Sequence, residues 1–226
     1  MIRPALALSL LIATSAAHAQ VAVGQYATKG GEFTLHITPG AFEISGVGEG
    51  GASCSIDGKR QGLTGRATDG AKTCVVKFTA RPDGVEVKAQ TSSICARFCG
   101  TQATIEGVYL KPAPGCSEKE RQRTGKAVEA ATKAKDDGRV EALLSKQLEI
   151  CGAFLPWLEG VDARTTLGAA QMRQGRKADC LKSLQPLTED ADASEDKLSE
   201  KYSDFDLYRY KDLLKDLRET LKQCRA

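Results

Sequence analysis

Eight cysteines, all downstream of an export-like N-terminus, constrain this chain more than any other feature. Met1-Ile2-Arg3 is a short positive leader and Ala5 to Ala17 an apolar run. Ala17-His18-Ala19 then matches the small-x-small pattern of a cleavage site, which predicts processing after Ala19. The apolar run is shorter than the ~18–20 residues of a membrane span, and no later stretch reaches that length, so the processed chain is read as not membrane-spanning. An even cysteine count in an exported chain predicts disulfides and a periplasmic or secreted location. No other cysteine pair stands at ligand spacing to complete a zinc site with Cys95 and Cys99, and there is no Cys-x-x-Cys redox motif.

Composition divides the chain at Lys111-Pro112-Ala113-Pro114-Gly115. Upstream it is rich in Gly, Thr, Ser and Val; downstream it is rich in Ala, Leu, Lys, Glu and Asp. Two prolines and a glycine in five residues disfavour both strand and helix, so 112–116 is read as a stiff linker. The expected architecture is α+β in two domains, with a β domain over 20–111 and a helical domain over 117–226. Lys and Arg number ten against eight Asp and Glu in the first part, and twenty-one against twenty-one in the second. Totals so balanced argue against a nucleic-acid partner.

Upstream, the pattern has period two. Phe33 to Ile37, Ala41 to Ser45, Cys74 to Thr79 and Gly84 to Ala89 alternate apolar and polar residues, and Arg81-Pro82-Asp83-Gly84 is a tight-turn sequence. Shorter strands are expected at Ser53 to Ile56 and Gly62 to Ala67, on either side of a turn at Asp57-Gly58, with a last strand at Thr104 to Tyr109. Repeated short strands with glycine turns predict a small antiparallel sheet, as a sandwich or an open barrel. The series Gly51-Ala52-Ser53-Cys54, Cys74, Cys95-Ala96-Arg97-Phe98-Cys99-Gly100 and Gly107-Val108-Tyr109 resembles a small Cys-x3-Cys-Gly β domain of proteobacterial envelope proteins, some of which carry lysozyme-inhibitor-like modules. That resemblance implies an envelope role in which a cell-wall-degrading enzyme or toxin is bound.

Downstream, the period becomes helical. Helices are expected at Ser117 to Lys135, opened by the capping sequence Ser117-Glu118-Lys119-Glu120, and at Arg139 to Cys151. Phe154-Leu155-Pro156-Trp157-Leu158 makes an apolar bend. Asp162 to Gln174 and Lys177 to Leu187 form a pair around Gly175, and Asp204 to Cys224 makes a closing helix. Leu167-Gly168, Cys180 and Leu184 fall at positions that resemble a tetratricopeptide repeat, and Gly138-Arg139 with Leu144 resembles a degenerate repeat before it. That resemblance implies stacked helical hairpins of the kind that bind other proteins.

The expected bonds respect the boundary. Cys54, Cys74, Cys95 and Cys99 pair among themselves, with three connectivities open. In the second half Cys116 with Cys151 closes the first hairpin, and Cys180 with Cys224 ties the repeat to its cap. His36, on the outward phase of its strand, is the only histidine after Ala19, and no Gly-x-Ser-x-Gly elbow is present. The chain is therefore read as a non-enzymatic protein that needs no cofactor. Tyr202, Tyr208 and Tyr210 are the candidate partner-binding residues. Tyr208 and Tyr210 stand two apart and cannot both face inward on one helix. The expected function is inhibition of, or immunity to, a lysozyme-like enzyme or toxin. An envelope scaffold is the alternative, a cell-wall hydrolase is a third reading, and the same aromatic face is compatible with a homo-oligomer.

Overall fold

The computed structural model describes residues 20–100 and 103–226; the expected export signal, 1–19, lies outside them. Eight strands come first: β1 (Gly24–Thr28), β2 (Phe33–Ile37), β3 (Ala41–Val47), β4 (Ser53–Gln61), β5 (Thr64–Asp69), β6 (Lys72–Arg81), β7 (Gly84–Ala89) and β8 (Gly107–Leu110). Each pairs antiparallel with its chain neighbour, and β8 returns to β1 through Ala27↔Leu110 and Thr28↔Tyr109. The sheet is thus a closed up-and-down barrel, and closure removes the free edges an open sheet would expose.

Alternation fills its interior. Phe33, Leu35 and Ile37 of β2, Phe42 and Ile44 of β3, and Cys74, Val76 and Phe78 of β6 are buried, while their neighbours Thr34, His36, Glu43 and Lys77 lie outside or half-covered. Phe42 and Phe78 meet edge to face at 5.3 Å, where two glycines make room for them. A Cβ on Gly65 would stand 2.6 Å from the Phe42 ring and 2.9 Å from that of Phe78. Gly58 plays the same part, which corrects the turn expected at Asp57-Gly58. A Cβ there would meet the Arg66 carbonyl at 2.2 Å and the Phe42 ring at 2.9 Å, so β4 runs straight through and reverses at Gly62-Leu63. β1 is an additional strand. Its buried Tyr26 and Ala27 are adjacent rather than alternating, so period two does not mark it.

The segment after β7 closes one end of the barrel. Helix α1 (Ser92–Cys95) and the 3-10 turn Ala96–Phe98 carry Cys95 and Cys99, which bond to Cys74 and Cys54 respectively. Ile94, Phe98, Ala103 and Ile105 pack onto the core beneath. Two disulfides therefore hold a plug that is too short to stay helical unaided.

Seven helices follow: α2 (Glu118–Lys133), α3 (Asp137–Cys151), α4 (Trp157–Arg173), α5 (Lys177–Leu184), α6 (Thr188–Asp192), α7 (Glu195–Lys201) and α8 (Asp204–Arg225). The capping box of α2 forms as expected, with Ser117 and Glu120 bonded reciprocally. Helix α4 begins five residues before the expected start because Pro156 suits a helix N-terminus. Helices α6 and α7 fall in the polar run 188–201, where few apolar residues mark a period. Gly168 lets α4 and α5 approach closely, since a Cβ there would lie 3.1–3.3 Å from Leu184 and the Cys180 sulfur. One core gathers Val161, Leu184, Leu198, Tyr210, Leu217 and Leu221 around α4, α5 and α8; a second joins α2, α3 and α4 through Ala131, Val140, Leu144, Leu167 and Ala170. Cys116–Cys151 and Cys180–Cys224 complete four disulfides, and no bond crosses between the halves.

A groove where barrel and helices meet

Two barrel turns at one end of the sheet dock onto the helices. In the β1–β2 turn, Gly30 N donates to Ala153 O at 2.8 Å, and a Cβ on Gly31 would lie 2.2 Å from Phe154 O. In the β3–β4 turn, Gly50 N donates to Asp206 Oδ2 at 3.2 Å, and the Phe205 ring lies over Gly51. Gly31 and Gly51 have φ of 70° and 79°, so only glycine meets both the backbone and the spatial demand. The Cys116–Cys151 bond fixes the linker to the end of α3, next to the 3-10 turn Gly152–Phe154 that receives Gly30 and Gly31.

Between these contacts lies a groove of about 700 Å³. The barrel contributes the outer faces of β2 and β3, where the Thr34 and Ser45 hydroxyls lie 3.3 Å apart. The helices contribute Arg121, Trp157, Tyr202, Asp206 and Arg209. Trp157 and Tyr202 stack in parallel at 5.1 Å, and the buried Tyr210 ring meets both edge-on at 5.0 and 5.6 Å. Arg121 bonds Glu159 at 3.0 Å and the Cys116 carbonyl at 3.3 Å, which holds its side chain in place on the wall.

Asp190 anchors this aromatic group from below. Buried on α6, it accepts hydrogen bonds from Tyr202 Oη at 2.6 Å, Lys201 Nζ at 2.5 Å and Tyr210 Oη at 3.2 Å. Burial alone would raise its carboxyl, but the bonds from Lys201, Tyr202 and Tyr210 outweigh it, and Asp190 titrates below its ordinary value. Burial first, and the Asp190 charge second, push the Tyr210 phenol well above its usual range; Tyr202 shifts the same way through burial and its bond to Asp190. Both tyrosines therefore act as neutral hydrogen-bond donors rather than as bases.

The tyrosines proposed from sequence separate into three positions. Tyr208 is 83% exposed, Tyr202 lines the groove, and Tyr210 is 0% exposed. Tyr210 is thereby removed from the partner-binding set, because the helical phase that turns Tyr208 outward turns Tyr210 into the core. All eight cysteines are paired. Among the described residues, no group of three His, Cys, Asp or Glu side chains is placed to hold a metal ion. His36 lies on the barrel exterior opposite Gln25 and Glu43.

The groove residues Trp157, Arg121 and Asp206, and Asp190 beneath them, were not legible as a site in the sequence. Trp157 alone carried a signal, as the single tryptophan in a short apolar run. Comparison of the chain with protein-family models, curated proteins and solved structures finds no match. The four disulfides belong to an oxidising, extracytoplasmic compartment. Among the described residues no helix is long and apolar enough to cross a membrane.

Proposed function

We propose that this is a periplasmic or secreted binding protein that blocks another protein, a cell-wall-degrading enzyme of the lysozyme type or a toxin of that class. One observation carries the reading: α8 presents Tyr208, 83% exposed, beside Phe205, 45% exposed, with the Arg209 guanidinium over the Phe205 ring at 5.5 Å. Phe205, Tyr208 and Arg209 are spaced i, i+3 and i+4 and share one helix face. Aromatic residues with arginine, on rigid support, are the usual make-up of an interface hot spot. The support is the docked barrel turn, and the face continues into the groove through Arg209. The class of target comes from the resemblance of the Cys-x3-Cys-Gly domain and is a fold-level analogy.

The test is direct. Purified protein is titrated against a panel of lysozyme-type muramidases, with lysis of cell-wall suspensions as readout. Stoichiometric inhibition of one class, weakened by Tyr208→Ala, supports the reading; no inhibition of any class removes it.

A second reading, an envelope scaffold, draws on a separate feature. Helices α2, α3 and α4 enclose a groove of about 540 Å³ containing Val128, Leu144 and Ala163. A concave helical surface of this kind suits a partner segment, as the resemblance to helical repeats implies. Binding to several envelope proteins, insensitive to Tyr208→Ala but abolished by Val128→Asp, would favour it.

A further inference from the structure

The barrel wall facing away from the helices carries a belt of positive charge set by strand register. Lys59 on β4 stands directly opposite Arg66 on β5, and Lys77 on β6 directly opposite Lys88 on β7. Arg66 and Lys77 lie on adjacent strands two residues out of register, since Arg66 faces Val75 and Lys77 faces Thr64. All four side chains are exposed. Among the described residues, Lys59, Arg66 and Lys77 have no acidic group within salt-bridge distance, while Lys88 pairs with Glu86 at 3.1 Å. Like charges directly opposite one another in an antiparallel pair destabilise it. The Lys59–Arg66 pair carries that cost in full, while Glu86 eases it for Lys88.

The shape of the belt narrows what it fits. In a closed barrel of eight strands each step turns the surface by about 45°, so three steps from β4 to β7 carry the charges through about 135°. A flat bilayer touches such a wall along one line and reaches only part of the belt. A protein interface would be expected to offer aromatic anchors, whereas Thr64 and Val75 lie between the cations, with Asp57 two residues from Lys59 and Glu86 two residues from Lys88 on the same face. A flexible chain of anions can follow the curve. Three of the four cations are lysines, compact point charges that bind phosphate oxygens without demanding a fixed orientation along the chain.

We propose that Lys59, Arg66, Lys77 and Lys88 bind a flexible linear polyanion carrying phosphate groups. This does not rest on the inhibitor reading, which uses the exposed face of α8.

Long-chain inorganic polyphosphate is the probe. Its binding should weaken with salt along a log–log slope between about −2 and −3, at roughly −0.7 per neutralised charge. The triple variant Lys59→Gln/Arg66→Gln/Lys77→Gln should flatten that slope by about 2 and weaken binding at least tenfold at low salt. Its melting temperature should hold or rise, because the Lys59–Arg66 repulsion is gone. The control variant Lys126→Gln/Lys146→Gln/Lys182→Gln, which removes the same charge from the helices, should bind as the parent does. Equal loss in both variants would reduce the effect to bulk charge and overturn the proposal, as would absence of binding at low salt. Tighter binding to vesicles of anionic phospholipid, or to polyglutamate, would equally overturn it, by giving the face to a membrane or a carboxylate polymer.

Discussion

The Tyr202 hydroxyl donates to the buried carboxylate of Asp190 at 2.6 Å, a bond that ties the groove wall to the core of the helical half. Tyr202 sits in the short link between α7 and α8, and its ring covers Trp157. Asp190 thus holds the aromatic wall in position from a helix that does not itself line the groove.

A pH dependence follows from Asp190. Its folded carboxyl titrates below the unfolded value of about 3.9. Its contribution is therefore complete above the unfolded value and is lost as pH falls through the folded one. Asp190→Asn should flatten the acid limb of stability below about pH 4 and lower stability at pH 7 by about 1–3 kcal/mol, through the weakened bonds to Tyr202 and Tyr210. Chemical denaturation of parent and variant at pH 7 and pH 3 measures both; an unchanged acid limb would show that Asp190 is not the group responsible.

Gly31 tests the docking of the halves. Gly31→Ala must place a Cβ against Phe154 O at a φ of 70°. Gly62→Ala has a φ of 59° but open space around it, so it isolates the backbone cost of about 1–2 kcal/mol. Gly31→Ala should exceed that cost and open the linker 112–116 to proteolysis, whereas Gly62→Ala should not. Equal proteolysis of the two variants would mean that the close approach at Phe154 does not hold the halves together.

The disulfides should act half by half. Cys116 and Cys151 are 35 residues apart and Cys180 and Cys224 are 44 apart, so each closed loop stabilises by roughly 3–4 kcal/mol in the chain-entropy account. Cys180→Ser/Cys224→Ser should lower the melting of the helices and leave the barrel transition in place. Non-reducing peptide mapping of the parent should recover the four pairs seen here, and any pair that joins the two halves would refute the arrangement.

Much of the fold could be read from the chain because local pattern and tertiary burial agree. Phe33 to Ile37 alternates, and its apolar residues all enter the barrel. Ser117 and Glu120 form their capping box, and the proline-rich segment separates strand from helix. Closure of the barrel was not legible, because it depends on β8 meeting β1 across more than seventy residues and β1 shows no alternation. Gly58 misled for a definite reason. An Asp-Gly pair serves a turn or a packing gap equally well, and the Phe42 ring that selects the second lies on a neighbouring strand. The groove was the least legible part. Asp190, Trp157 and Asp206 come from three separated helices, and Asp190 sits in a polar run where burial leaves no periodic mark.

Tyr208 and Tyr210 give the sharpest test of the partner-binding reading, because two residues on one helix have opposite surroundings. Tyr208 offers a large exposed ring with few rotamers to lose, and nothing in the core depends on it. Tyr208→Ala should weaken binding of the inhibited enzyme by about 1–3 kcal/mol and leave the melting temperature unchanged. Tyr210 is fully buried, packs edge-on against Trp157 and Tyr202, and donates to Asp190. Tyr210→Ala should cost about 3–5 kcal/mol of stability, as removal of a buried aromatic side chain does. Tyr210→Phe keeps the ring and removes the hydroxyl bond; it should cost about 0.5–1.5 kcal/mol and leave binding intact. Calorimetric titration and thermal melts on the three variants separate the roles. If Tyr208→Ala binds as the parent does, the exposed face of α8 is a solvated surface and the proposed interface is lost.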